Sequence, residues 1–299
     1  MAHFVAVAEA PTTTGNPFFP KYKSLVFVAL LMWAYLNFSQ KSKRAGRPDK
    51  RLSRNFTLME NITKKPVGQI VAEDFSTYSV FESHKIDYYN KGKRTLEGVA
   101  AENAIDLTAL ISEIEKKKRS SSPKDEDFNS WPLDALCEHI IKTYHLSAEQ
   151  QIKEIKPVLE KATGVYGAQY PVIPEIKKLF DEAAGIIAVH QKKEELILFP
   201  FIRKMADAKK NDKEFVTPRA TKSVESPVDM LTHEHHQQSH LLQKIAELSH
   251  DYTSQGVDST FQDSLRLLKK FELKLHQHLH LENNILFPKA LKLEKELTA

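Results

Sequence analysis

Two stretches of the chain, HQKKEELILFP at 190–200 and HLHLENNILFP at 278–288, share the pattern H-x-x-x-E-x-x-I-L-F-P at a constant offset of 88 residues. Each pairs an imidazole with a carboxylate at i and i+4: His190 with Glu194, and His278 with Glu282. On a helix these positions lie one above the other, with Cβ atoms about 5–6 Å apart. A lone histidine precedes each pair, His145 in KTYHL and His235 in EHHQQ, at distances of 45 and 43 residues. Four imidazoles and two carboxylates brought to one place suit a pair of metal ions, with Glu194 and Glu282 shared between them. Carboxylates buried there without a cation would be costly. One His/Glu pair is commonly a surface contact; two in register inside a repeat point to ligands.

Nitrogen and oxygen donors exclude a thiolate site. A tetrahedral zinc needs four ligands, whereas six shared by two ions leave open positions on octahedral ions. The spacing therefore points to two non-haem iron ions, carboxylate-bridged, with manganese left open. The single cysteine, Cys137, excludes an intrachain disulfide and a thiolate-held cluster and reads as a small buried hydrophobe. His276 and His280 flank His278 by two positions, so they should face elsewhere. His236 and His240 form a separate i, i+4 pair with a supporting or surface role. His139 reads as structural, and His233 and His250 are unassigned. The ILFP tails read as packing and helix-kinking elements, because proline removes a backbone hydrogen bond four residues back.

The elements that must position these residues are helices. Nine glycines in 299 residues fit long helices and argue against Gly-rich phosphate loops. Four helices are expected at about 131–162, 173–209, 227–254 and 258–296, the third closed by Gln255-Gly256. With no credible strand run, they form an up-down four-helix bundle over 131–299. A small helical domain is expected at 59–116, with Asp106 as N-cap of LTALISEIE. A polar linker follows over 117–130, and the lysine run 116–118 at its start reads as part of it.

Residues 1–58 differ in character. They carry nine basic and two acidic residues, which leaves the rest of the chain net acidic and argues against nucleic-acid binding. Residues 24–38, SLVFVALLMWAYLNF, form an apolar run short for a bilayer span of about 17–25 residues. Either this extension is a membrane anchor, with the basic residues after it holding the body on the cytoplasmic side, or it lies upstream of a native start at Met59. Both readings place the body in the cytoplasm.

The strongest stretches are LDALCEHIIKTYH at 133–145 and the two copies of the repeat. With the leading unit PVGQIVAEDFSTYSVFESHKIDYYNKGKRTLEGVAAENAIDLTALISEIE, they resemble the hemerythrin-like di-iron proteins of the repair-of-iron-centres family. The resemblance covers about 66–296. It implies iron ligands at His145, His190, Glu194, His235, His278 and Glu282, the six already chosen from spacing. It implies a stress-responsive protein that restores iron–sulfur clusters damaged by nitric oxide or peroxide, through ferrous iron donated from a labile site. The partners it implies are damaged iron–sulfur proteins. One departure stands out. The family's leading domain carries a Cys-Cys-Gly-Gly turn, where this chain has Tyr89-Asn90-Lys91-Gly92. A thiol step is therefore not expected of that unit, which is left a docking role or none.

The main alternative is an oxygen or nitric oxide binding or sensor protein, which would keep its metal where a donor releases it. A ferritin-type ferroxidase ranks lower, since such sites rely on Glu-x-x-His pairs and more carboxylates. A metal-free scaffold leaves the repeat unexplained.

Overall fold

The computed structural model describes residues 61–120, 127–217, 223–253 and 259–299; the apolar run at 24–38 and Gln255-Gly256 lie outside them. The described residues are helical, with no strand longer than the isolated Pro66–Thr95 bridge. No helix among them is long and apolar enough to cross a membrane.

The leading unit comprises α1 (Val67–Glu73), α2 (Tyr78–Ser83), α3 (Leu96–Glu102) and α4 (Leu107–Ser120) around a core of Val67, Ile70, Phe81, Leu96, Leu110 and Ile114. The Asp106 carboxylate caps α4 by accepting from the Ala109 N–H at 2.9 Å. The lysine run does not begin a linker. It forms the last turns of α4, where positive charge complements the exposed carbonyls of the helix end.

The bundle comprises α5 (Leu133–Ile140), α6 (Leu146–Tyr166), α7 (Val172–Lys193), α8 (Phe199–Lys210), α9 (Glu225–Leu248), α10 (Ser259–Leu281) and α11 (Phe287–Thr298). Three joints inside the rods are single wide π-turns: Ile141–His145 between α5 and α6, Glu194–Leu198 between α7 and α8, and Glu282–Leu286 between α10 and α11. In each, an N–H reaches back five residues: Leu146 to Ile141, Phe199 to Glu194, and Phe287 to Glu282. Pro200 and Pro288, which have no N–H to give, follow two of these turns, so the expected kinks take the form of a widened turn. The first turn has no proline behind it. All three begin or end on a residue expected to bind metal.

The third rod is shorter than its sequence suggests. It ends at Leu248, because His250, Asp251 and Tyr252 all take left-handed backbone conformations. Such residues cost about 1–2 kcal/mol each. The reversal is held by Asp251 N–H on the Ala246 carbonyl, and it buries the Tyr252 ring against the bundle core.

Two apolar clusters fill the bundle. One, around Ile140, Phe199, Ile202, Leu231 and Phe287, lies on the wide-turn side; the other, around Ile155, Phe180, Ile187, Leu242 and Phe271, fills the opposite half. Between them lies a polar layer. The leading unit packs onto the third wide turn. The Asn284 side chain donates to the carbonyls of Tyr88 and Tyr89 at 3.1 and 3.2 Å. A Cβ at Gly68 or Gly92 would fall 2.3 or 2.1 Å from Asn284 Oδ1, and at Gly92 also 2.7 Å from the Tyr88 carbonyl. Gly92→Ala should thus loosen this contact, with a loss of about 1–3 kcal/mol visible as a lower thermal midpoint. An unchanged midpoint would show that the loop does not depend on this close approach.

Candidate metal centre

The polar layer contains all six residues chosen from the sequence. His145 ends the first wide turn and His190 lies in the last turn of α7. Glu194 opens the second wide turn, His235 lies on α9, His278 lies near the end of α10, and Glu282 opens the third wide turn. The two glutamates and His235 are completely buried, and the other three histidines nearly so. Their donor atoms fall into two groups, His145, Glu194, His278, Glu282 and His190, Glu194, His235, Glu282, each within 4.8 Å. Glu194 and Glu282 belong to both.

Around Glu194, the Nε2 atoms of His145 and His190 approach opposite oxygens at 3.3 Å. Around Glu282, those of His235 and His278 do the same at 3.2 and 3.0 Å. Yet His145 Nε2, both oxygens of Glu194 and Glu282 Oε2 have no hydrogen-bond partner, although they are buried. These donors converge on common points rather than on one another, and unsatisfied buried polar atoms are rare unless something else meets them. His190 Nε2 and His235 Nε2 also stand 3.0 Å apart. With protons on the outer ring nitrogens, two lone pairs would face each other there, an arrangement that a cation or a proton stabilises. The donor set therefore fits metal.

The electrostatics agree. Burial would raise the Glu194 carboxyl, but the His190 and His145 imidazoles outweigh it and hold it well below the usual carboxylate range. Burial lowers His190, yet the charges of Glu194 and Glu282 push it up to about 9. His278 is lowered by burial against the pull of Glu282. Cys137 is fully buried in the apolar cluster and its thiol is pushed up to about 12 by burial, as a small hydrophobe requires.

Three residues that hold these histidines from outside escaped the sequence reading. His145 Nδ1 donates to Glu195 Oε1 and His190 Nδ1 to Glu234 Oε2, and His235 Nδ1 meets Asn283 Oδ1, each at 2.9 Å. Glu195 and Glu234 can only accept, so these two bonds favour a proton on Nδ1 of His145 and His190 and turn Nε2 to the centre, the arrangement a ligating histidine needs. Glu195 and Asn283 are equivalent positions of the 88-residue repeat. That equivalence was the available signal, hidden because the two residues differ.

The other histidines fall where their spacing sends them. His236 and His240 are exposed, and His139 packs among Phe128, Trp131 and Tyr144. His276 and His280 do point away from the centre but are buried, because the leading unit covers them. The His276 ring stacks on Tyr89 with centroids 3.8 Å apart, and His280 lies against Tyr88.

Fold and site define a helical-bundle protein whose buried His/Glu groups fit a metal site. Residues 138–290 match the family described as the hemerythrin HHE cation binding domain, and the chain belongs to that family. Residues 63–118 match a second family, described as a domain of unknown function, DUF542. Relatives named iron-sulfur cluster repair protein YtfE include those of Edwardsiella ictaluri and Escherichia coli O81. Each is 27% identical, over 76% of this chain and 96% of its own length. The one from Yersinia pseudotuberculosis is 29% identical, over 71% of this chain and 90% of its own.

Removing an outer support should loosen the metal without emptying the site. Glu195→Ala and Glu234→Ala are each expected to weaken iron binding about 10–100-fold in chelator competition. Glu149→Ala, at an exposed residue paired with Lys153, should leave binding unchanged. Equal affinities in all three variants would remove the supporting role.

Proposed function

We propose that this chain is a di-iron protein that repairs iron–sulfur clusters damaged by oxidative or nitrosative stress, by supplying ferrous iron to them. The observation that carries this reading is the pair of four-residue groups that share Glu194 and Glu282. In it, His145 and His278 hold one iron, His190 and His235 hold the other, and the two carboxylates bridge them. The fully buried carboxylates and the outward-tied imidazoles support that assignment. The relatives named for cluster repair, similar over most of their length, support the activity.

The iron is cargo here as well as ligand partner. Bound ferrous ions would supply what a damaged cluster has lost. The protein's part is to keep them reduced, dry and deliverable. Apolar clusters on both sides of the polar layer limit water, and supports such as Glu195, 22% exposed in its side chain, keep the layer within reach of solvent. The body works in the cytoplasm in this reading, on damaged iron–sulfur proteins. The divisions at 59–116 and 131–299 then correspond to a docking unit and an iron-holding unit.

The full chain reconstituted under anaerobic conditions should bind about two irons, as paired ligand helices in bundles do. Glu194→Leu/Glu282→Leu, which replaces two buried charges by apolar groups of similar volume, should lose most of the metal while keeping its helical content. If parent and double variant bind the same amount, the assignment fails. Iron-loaded protein mixed with a nitric-oxide-damaged cluster enzyme should restore its activity as iron leaves the bundle. Retention of both irons without recovery would favour the sensor reading.

A further inference from the structure

We propose that the leading unit sets the tautomer of His235, and so makes one half of the metal centre competent to bind. The inference rests on the metal reading given for the six residues. It comes from a ring of hydrogen bonds that starts and ends on His235.

The Ser239 hydroxyl donates to the His235 carbonyl at 2.8 Å. With its proton committed, its oxygen accepts from Asn90 Nδ2, also at 2.8 Å. Asn90 Oδ1 must then face the other way, where it accepts from Asn283 Nδ2 at 3.3 Å. Asn283 Nδ2 also donates to the Tyr89 carbonyl at 3.1 Å, a group that can only accept. Asn283 Oδ1 is left facing His235 Nδ1 at 2.9 Å and must accept from it. Each donor and acceptor follows from the one before, and the proton of His235 ends on Nδ1.

The other supports need no such instruction. Glu195 and Glu234 are carboxylates, which only accept, so they fix the tautomers of His145 and His190 by themselves. Asn283 is an amide and works either way round. Turned over, it would donate to Nδ1, drive the proton onto Nε2 and remove the lone pair that a metal needs. The groups that prevent the turn, Asn90 and the Tyr89 carbonyl, belong to the leading loop, and Asn90 and Ser239 lie in the wall of a cleft of about 1270 Å³. The loop therefore acts on the centre through Asn283, a positioning residue, without touching the metal.

The test is histidine ¹⁵N NMR on the metal-free full chain, with iron release to a ferrous chelator on the loaded one. In the parent, His235 should carry its proton on Nδ1. Asn90→Ala/Gly92→Ala, which withdraws the loop, should give a mixture of tautomers at His235 alone, with His145 and His190 unchanged. One of the two irons should then leave about 10-fold faster. Adding Asn283→Asp, an acceptor-only support at the same place, should restore both the tautomer and the slow release. Ser239→Ala, which leaves the helix intact, should produce the same mixture to a smaller degree and covers the case in which the loop variant does not fold. A parent-like tautomer and release rate in the folded loop variant, or in Ser239→Ala where that is the one that folds, would overturn the proposal, as would a mixture that Asn283→Asp does not restore. A parent that binds no iron would instead refute the metal reading and leave the NMR result to stand on its own.

Discussion

The structure depends on two carboxylates held at zero exposure in the middle of a helical bundle. A buried charge survives only when something compensates it, since desolvation costs several kcal/mol per ion. Here the compensation is four imidazoles whose nitrogens approach at 3.0–3.3 Å but leave most carboxylate oxygens without a hydrogen bond. Apolar clusters above and below keep the layer from being solvated. Such a layer is a poor way to stabilise a bundle and a good way to hold cations, because each metal ion removes charge repulsion that the protein alone leaves in place. The wide turns belong to the same economy of placement. An extra residue in a turn shifts the side chains on either side of it, and all three described here have a residue of the buried His/Glu layer at one end.

Repetition built the centre, and divergence between the copies gave its two sides different surroundings. After Glu194 the first copy continues with Glu195 and Leu196; after Glu282 the second continues with Asn283 and Asn284. Leu196 is 73% exposed, whereas Asn284 is wedged against the leading unit, between Gly68 and Gly92. One side thus faces solvent and the other carries a docked unit. The imidazole supports diverged in the same way, to a charged acceptor on the open side and a neutral amide on the covered side.

Much of the centre was legible because ligand chemistry restricts residue type and helical geometry restricts spacing. Few other roles place His and Glu at i, i+4 twice with the same apolar tail. The supports were not legible for the opposite reason. Glu234 and Glu195 look like any polar residue beside a ligand, and only the fold shows which helix faces them. Proline marked two of the wide turns and nothing marked the third, at Ile141–His145. The end of α9 was misplaced because its stop signal is tertiary: Tyr252 enters the core, and the chain takes left-handed conformations to deliver it. The burial of His276 and His280 could not be read from their own helix, since the surface that covers them lies some 190 residues earlier in the chain.

The leading loop completes the argument about what this member of the family can do there. At positions 89 and 90 the chain places a phenol and an amide, Tyr89 and Asn90. The Tyr89 phenol is pushed far above its ordinary value by burial and by the charges of Asp87 and Glu82, so it stays protonated and is a poor nucleophile. Its ring is stacked on His276, and its carbonyl is committed to Asn283 and Asn284. Asn90 spends its donor on Ser239 and its acceptor on Asn283. Every polar group of the pair with a described partner is turned to hydrogen bonding, and neither residue can exchange electrons as a dithiol does. The loop is a fixture of the bundle, packed against the turn that carries Glu282 and hydrogen-bonded to the Asn283 beside it.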